Sequence, residues 1–241
     1  MYIAPVSKAI ATSEIGCHIG NMPCNVLLYA DDLIIISPSY TAHQSLLNIC
    51  SLKIAHINMS LNVKKSVSLI FSPLAACYRF FDIKCFPRFQ LNNNCMEFVN
   101  SAKYLGHWLS TLENDNLDIS NQIRSLFART NYLFRRFSRC SIRVKISLFK
   151  SFCINFYGIA LWNRYNIGIW KKLTSAYVKC IKIFFGYNKY DSVTEIFLTL
   201  KLPTLNTLLH NAKLKLAQNC RTHCNSLVQY VFNILHGMSE I

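Results

Sequence analysis

Asn25-Val26-Leu27-Leu28-Tyr29-Ala30-Asp31-Asp32-Leu33-Ile34-Ile35-Ile36-Ser37 sets two adjacent aspartates between two apolar, branched runs. Val26 to Tyr29 and Leu33 to Ile36 each suit a buried strand, and Asp31-Asp32 suits the tight turn between them. Aspartate tolerates the positive φ that short hairpin turns demand. No base lies within several residues of the pair, so the setting is poor for a salt bridge. It is good for a hard divalent cation, which takes one or two carboxylates plus substrate phosphates. A solvated Asp-rich turn is the plain alternative for any bare Asp-Asp pair, and the rest of the chain has to decide between the two.

Three motifs follow one another in order. Tyr29-Ala30-Asp31-Asp32 resembles the Y/F-x-D-D hairpin of reverse transcriptases, in the form typical of the non-LTR (LINE-like) retrotransposon branch. Leu61-Asn62-Val63-Lys64-Lys65-Ser66 is similar to that family's next motif, an N-x-x-K-[ST] strand. Ala102-Lys103-Tyr104-Leu105-Gly106 resembles its Y-L-G hairpin, which grips the primer end. Basic, helical sequence then occupies the place of the family's thumb.

Charge points the same way. The 241 residues carry 26 Lys+Arg against 11 Asp+Glu, a formal net charge of +15, although charged residues make up only 15% of the chain. Such an excess implies a polyanionic partner, nucleic acid before an acidic membrane surface. Hydrophobic content of 52% excludes a disordered tail and allows two structural units with real cores. The mean hydropathy of +0.22 hints at surfaces meant to be covered. Eleven cysteines with no CxxC pair read as reduced thiols in an intracellular protein, with no disulfide-linked partner expected. Cys220, His223 and Cys224, with His210 earlier, look like neighbours on one helical stretch and make a poor zinc set. No secretory signal is visible and no apolar window reaches the ~18 uncharged residues of a membrane span, so the expected setting is nucleus or cytoplasm, without a membrane.

The organisation expected is α+β. Met1 to Ala11 reads as a helical lead-in, and Gly16 and Gly20 bracket a turn into the aspartate hairpin. Leu46, Leu47, Cys50, Ile54 and Ile57 recur at helical spacing between Tyr40 and Ile57. Strands are expected over Leu61 to Phe71, Phe80 to Leu91 and Met96 to Leu109, the last two joined through Asn92-Asn93-Asn94. That order fits the later half of a polymerase palm, an antiparallel sheet with a packed helix. The polar stretch Glu113-Asn114-Asp115-Asn116 marks a boundary, and beyond it the apolar spacing is helical. Asp118 or Ser120 could cap the first helix and Ser141 the second, which carries Ile142 through Ala160. A third helix is expected from Ile167 to Phe185, a short one after the Ser192–Glu195 capping box, and another after Pro203. The domains are therefore a partial palm over 1–112, a thumb-like helical bundle over 117–187 and a helical connector over 188–241.

The resemblance implies a chemistry. Reverse transcriptases join a primer 3′-oxygen to the α-phosphorus of a dNTP, with two Mg²⁺ or Mn²⁺ ions activating the attacking oxygen and steadying the leaving pyrophosphate. Asp31 matches the invariant metal ligand and Asp32 the accessory one, while Tyr29 matches the tyrosine beneath the primer terminus. The family's further metal-binding aspartate lies upstream of the hairpin. Thirty residues precede Asp31 here, and Glu14 is their only acid. The fingers and that aspartate strand are missing, so the chain is expected to be inactive alone. Lys65 matches a lysine proposed to act as general acid toward pyrophosphate, or simply as counter-charge, with adjacent Lys64 leaving the register open by one residue. Gly106 permits the close backbone approach that a primer clamp needs.

Arg124, Arg129, Arg135, Arg136, Arg139, Arg143, Lys145 and Lys150 load the helical region with charge, and few acids are interspersed. Arg124, Arg129, Arg136 and Arg139 are expected to be exposed and to meet phosphates of an RNA template and DNA primer, or of an RNA–DNA duplex, without reading sequence. Lys171, Lys172, Lys179 and Lys182 could extend that surface. Two readings compete: a piece of an RNA-directed DNA polymerase, and a non-catalytic remnant or exapted nucleic-acid-binding protein that keeps the basic helices.

Overall fold

A short amphipathic helix starts the chain by burying Val6 and Ile10 completely. It is α1 (Ala4–Ala11), and it packs on α2 (Tyr40–His56) through Leu46, Cys50 and Ile54. The computed structural model describes residues 4–13, 15–71 and 86–237, which divide into two units, Met1–Ala102 and Lys103–Ile241. Between α1 and α2 lie two hairpins, β1 (His18–Ile19) with β2 (Met22–Pro23), and β3 (Val26–Tyr29) with β4 (Asp32–Ile35). Val26, Leu33 and Ile35 turn inward onto the α1–α2 core. Ser39 caps α2 by accepting from the Ala42 amide at 3.3 Å, which fixes where the helix starts.

Asn25 holds this unit's entrance together. It is 1% exposed, and its Nδ2 donates to the carbonyls of Ile10 at 2.8 Å and Ile15 at 3.0 Å. Its own carbonyl accepts from the Ile36 amide at 2.9 Å, closing the base of the aspartate hairpin. Gly16, at φ 128°, runs so close beneath that a Cβ there would meet Asn25 Cβ at 2.5 Å.

On its other side α2 sends Leu47 into a second cluster with Phe89, Leu91 and Met96. Tyr40 stacks on Phe89 with ring centroids 4.9 Å apart. The strands here are shorter than the apolar pattern suggests: β5 (Val67–Ser68), β6 (Gln90–Leu91), β7 (Asn94–Cys95) and β8 (Glu97–Phe98). β6 and β7 form an antiparallel hairpin whose turn residues Asn92 and Asn93 both take positive φ, as the asparagine run suggests. β5 pairs with β8 in parallel, so the sheet expected as antiparallel is a set of two-stranded ladders of mixed sense within an α+β fold. Gln44 on α2 completes β6 from the side: its Nε2 donates to Gln90 O at 2.8 Å and its Oε1 accepts from Gln90 N at 2.9 Å. A strand over Leu61 to Phe71 is not formed apart from β5. The first part of the strand expected from Phe80, residues 80–85, lies outside the described residues, as does Glu14.

A hairpin of β9 (Ser101–Tyr104) and β10 (His107–Ser110) leads into the helices, so Met96 to Leu109 is broken into three short strands. The helices are α3 (Asn116–Phe137), α4 (Ile142–Phe152), α5 (Ile167–Phe185), α6 (Val193–Leu200), α7 (Leu205–Arg221) and α8 (Ser226–Gly237). α3 and α5 form the principal pair, burying Ile119, Leu126 and Leu133 against Leu173, Tyr177, Cys180, Ile181 and Phe184. The bounds of α5 are those read from its periodicity, with Asn166 accepting from the Gly168 amide at its start and left-handed Gly186 at its end. Ser192 accepts from the Glu195 amide at 3.5 Å, one half of the expected capping box. α4 stops at Phe152; Phe156 enters the core from the irregular segment that follows, and Ile159 from the single helical turn that starts after left-handed Gly158. α6 and the start of α7 bury Ile196, Leu200 and Leu205 in the same core as α3 and α5. No helix among the described residues is long and apolar enough to cross a membrane. Burial pushes the Cys50 and Cys180 thiols up to about 11, so both stay protonated as small core side chains at neutral pH.

Asn25→Ala is expected to lower local stability of the first unit by about 1–3 kcal/mol, because two carbonyls lose their donor. Hydrogen exchange of the 4–13 and 15–36 segments measures this, and protection equal to that of the parent chain would contradict it.

Candidate functional site

The apolar stem of the aspartate hairpin turns through Ala30 and Asp31. The positive φ of the turn, 52°, falls on Ala30 and not on an aspartate. Asp32 is the first residue of β4, opposite Tyr29. The turn therefore sits one residue earlier than Asp31-Asp32, because four cross-strand pairs from Val26↔Ile35 to Tyr29↔Asp32 leave only two residues to connect them. Strand alternation then sorts the side chains. Val26, Leu33 and Ile35 pack inward, while Leu27 and Tyr29 are 39% and 64% exposed. Asp31 and Asp32 are both exposed, and neither carboxylate has a hydrogen bond or ion pair among the described residues. Two free hard-oxygen donors on the tip of an apolar stem fit part of a magnesium or manganese site. They do not complete one: no group of three or more His, Cys, Asp or Glu among the described residues is placed to hold a metal ion.

Lys65 lies in a turn, which corrects its expected place on a strand. Asn62 makes the turn: its Oδ1 accepts from the Lys65 amide at 3.3 Å, and its carbonyl accepts from the amides of Lys65 and Ser66 at 3.1 Å. Asparagine competing for nearby amides in this way breaks a strand before it starts. Lys64 and Lys65 are both exposed, so the turn replaces the alternation that would have sent them to opposite faces.

Tyr104, Leu105, Gly106 and His107 form the turn of the β9–β10 hairpin. Its central residues Leu105 (φ 46°) and Gly106 (φ 85°) are both left-handed, the geometry that continues the natural twist of a hairpin. Glycine adopts it freely and leucine does not, so Leu105 needs outside support. Tyr157 provides it by donating its hydroxyl to the Leu105 carbonyl. A Cβ on Gly106 would come within 2.8 Å of Tyr157 Cε1, so the close approach that Gly106 allows is taken up by that ring. Tyr157 was not singled out by the sequence. It follows the end of α4 and precedes left-handed Gly158, a position without periodicity to mark it.

The hairpin is also fastened to α3. Asp118, 1% exposed, accepts from Trp162 Nε1 at 2.8 Å and from the Trp108 amide at 3.3 Å. His107 Nδ1 stands 3.2 Å from Asp118 Oδ2 without hydrogen-bond alignment. Asp115 accepts from the Asn163 and Arg164 amides, each at 2.9 Å, and returns its own amide to Arg164 O. Asp115 is the N-cap residue of α3, and Asp118, expected as a possible cap, is instead its buried acceptor. The signal was available: with Glu113 these are the only acids between Glu97 and Asp191.

Arg124, Arg135, Arg136 and Arg139 of the α3 region are exposed, with Arg143 and Lys150 exposed on α4. Arg136 lies 4.8 Å from the centre of the Tyr132 ring, which steadies the guanidinium without neutralising it. Arg129 departs from expectation. It is half-buried, donating from Nε to Ser125 O at 3.3 Å and from Nη1 to Asn155 O at 3.2 Å. Those carbonyls lie within its own helix and in the irregular segment after α4, so the fold uses Arg129 as a strap. Lys182 is likewise engaged, donating to the carbonyls of Lys189 and Asp191 at 2.8 Å, whereas Lys171, Lys172 and Lys179 are exposed.

Residues 1–109 match the family model of reverse transcriptase (RNA-dependent DNA polymerase). The match takes in the aspartate hairpin, the Asn62–Ser66 turn and the Y-L-G hairpin, and ends before α3. No curated protein and no solved structure matches the chain.

Gly106→Ala is expected to destabilise the Y-L-G turn by about 1–3 kcal/mol, since it adds a left-handed strain and drives a methyl group into Tyr157. Hydrogen exchange of the 101–110 segment reads this directly. Unchanged protection would contradict the contact.

Proposed function

We propose that this chain acts as the later palm, thumb and connector of a non-LTR-type RNA-directed DNA polymerase, holding a primer–template duplex and supplying part of its metal-binding centre. The reverse transcriptase match over residues 1–109 supports the polymerase reading. The observation that carries it is Asp31 and Asp32 standing unpaired on the tip of an otherwise apolar hairpin, with Tyr29 exposed on the strand beside them. Carboxylates with no structural partner are placed for a ligand from outside.

In this reading Asp31 is the principal metal ligand and Asp32 the accessory one. Magnesium or manganese, when bound, supplies the positive charge that the transferred phosphoryl group and leaving pyrophosphate require. Tyr29 offers an aromatic face to the primer end. Lys65, exposed and without an acidic partner among the described residues, serves as counter-charge to pyrophosphate or as its proton donor. The Tyr104–Gly106 turn, held rigid by Tyr157, supports the primer strand. Arg124, Arg136 and Arg139 meet successive phosphates, and they do so without reading bases, as a surface that slides along its product must. Arg129 supports that surface from behind. The second reading, a nucleic-acid-binding protein without chemistry, keeps every part of this account except the metals, and the shortage of carboxylates favours it for these residues alone.

Binding to an RNA–DNA duplex is expected to weaken steeply with salt, because each phosphate contact releases counterions. Replacing Arg124, Arg136 and Arg139 together by Gln should lower the slope of log affinity against log salt by roughly 2–3, while Arg129→Gln should act mainly on stability. Fluorescence anisotropy at several salt concentrations measures both. Affinity indifferent to salt, or to loss of the three arginines, contradicts the proposed surface.

The 241-residue chain is expected to extend no primer with Mg²⁺ or Mn²⁺, since two carboxylates do not hold two ions at ~3.5–4 Å separation. A fingers and first-aspartate segment from a reverse transcriptase, fused or in trans, should restore synthesis that Asp31→Asn abolishes. Robust synthesis by the chain alone, or restored synthesis indifferent to Asp31→Asn, contradicts the assignment.

A further inference from the structure

Two thiols face each other across the first hairpin of the molecule. The β1–β2 register pairs His18 with Pro23 and Ile19 with Met22, so the next pair outward is Cys17 and Cys24. The Cys24 amide donates to the Cys17 carbonyl at 2.7 Å, which extends the ladder to that pair. Opposed residues of a hydrogen-bonded antiparallel pair have Cα atoms about 5.5 Å apart and project their side chains from the same face. That Cα spacing is one a disulfide spans, and the Cβ atoms, about 4.5–5.5 Å apart in such pairs, draw together to close it. Both thiols are partly exposed, whereas Cys50, Cys153 and Cys180 are buried. Partial burial raises the Cys17 thiol, and charge on Cys24 raises it further.

We propose that Cys17 and Cys24 form a reversible dithiol–disulfide couple that closes on reaction with a small disulfide oxidant such as oxidised glutathione. The Cys24 thiolate attacks one sulfur of the oxidant, whose S–S bond breaks and releases one glutathione thiolate. Cys17 loses its proton and attacks the Cys24 sulfur of the mixed disulfide, expelling the second glutathione. Two protein thiols become one disulfide, and one oxidised glutathione becomes two reduced.

Position gives the couple its consequence. Cys24 precedes Asn25, whose amide holds the Ile10 and Ile15 carbonyls and whose carbonyl closes the base of the aspartate hairpin. Cys17 follows Gly16, which passes directly under Asn25. A bond between the two sulfurs locks the strand that feeds the aspartates to the loop beneath it. The reduced form leaves that junction to hydrogen bonds alone.

Met22 lies between the two cysteines, so cyanogen bromide severs them unless sulfur joins them. The folded, reduced 241-residue chain is treated with oxidised glutathione at neutral pH, quenched with acid, and cleaved. The expected result is fragments 2–22 and 23–59 that stay together, lighter by two hydrogens than their sum, until a reductant is added. Cys17→Ser should stop at the mixed disulfide, retaining one glutathione and releasing it at least about tenfold more slowly than the parent resolves. Fragments that separate after oxidation of the parent chain overturn the proposal without recourse to any variant. So does glutathione that persists on the parent's Cys24, or a bond that forms instead between Cys220 and Cys224.

Discussion

A carboxylate buried at the start of α3 organises the second unit. Asp118 is 1% exposed, and donors reach its carboxylate from two directions, Trp162 Nε1 and the Trp108 amide. Each donor belongs to a different piece of chain: Trp108 to the Y-L-G hairpin, Trp162 to the segment that precedes α5. Asp115, three residues earlier, repeats the arrangement by accepting the Asn163 and Arg164 amides. Together they fasten the hairpin, α3 and the entry to α5 at one place. The Y-L-G turn can therefore hold Leu105 in a left-handed conformation, because Tyr157 supports it from the same body.

This economy of acids shapes the surface. Glu113, Asp115 and Asp118 are all engaged at the hairpin end, with Glu113 paired to Arg164 at 2.9 Å. The exposed arginines farther along α3 have no acidic partner among the described residues. A stable fold has no need of an unneutralised basic helix face, and repulsion along it is a small standing cost. Arg129 and Lys182 show the alternative use, since each is bent back onto backbone carbonyls. The distinction between structural and available cations follows from which carbonyls are left open by helix ends and irregular segments. Net charge alone does not draw it.

What the sequence made legible was periodic or paired. α5 was readable end to end because Leu173, Tyr177, Cys180 and Phe184 repeat at helical spacing between Asn166 and Gly186. The aspartate hairpin was readable because its stem is apolar on both arms, although the turn fell one residue early once four cross-strand pairs were satisfied. The illegible parts depend on single polar contacts. Nothing in Leu61–Ser66 announces that Asn62 will capture the amides of Lys65 and Ser66 and end a strand. Asn25 reads as an ordinary residue before a strand until its amide is seen to bind two carbonyls. Tyr157 has no periodic neighbours, and its role exists only because Leu105 and Gly106 arrive beside it.

The candidate site thus combines a readable tip with an unreadable frame. Asp31 and Asp32 were identifiable from their setting, while the residues that fix their hairpin and the Y-L-G turn came from tertiary structure. The most direct measurement uses an RNA–DNA hybrid whose DNA 3′-terminal nucleotide is photoreactive, crosslinked to the protein and mapped by peptide mass spectrometry. The account predicts crosslinks from the 3′ terminus within residues 26–35 or 104–107, and crosslinks from a probe placed inside the duplex on the Arg124–Arg139 stretch of α3. Crosslinks from the 3′ terminus spread evenly over the chain, or confined to α7 and α8, would contradict it.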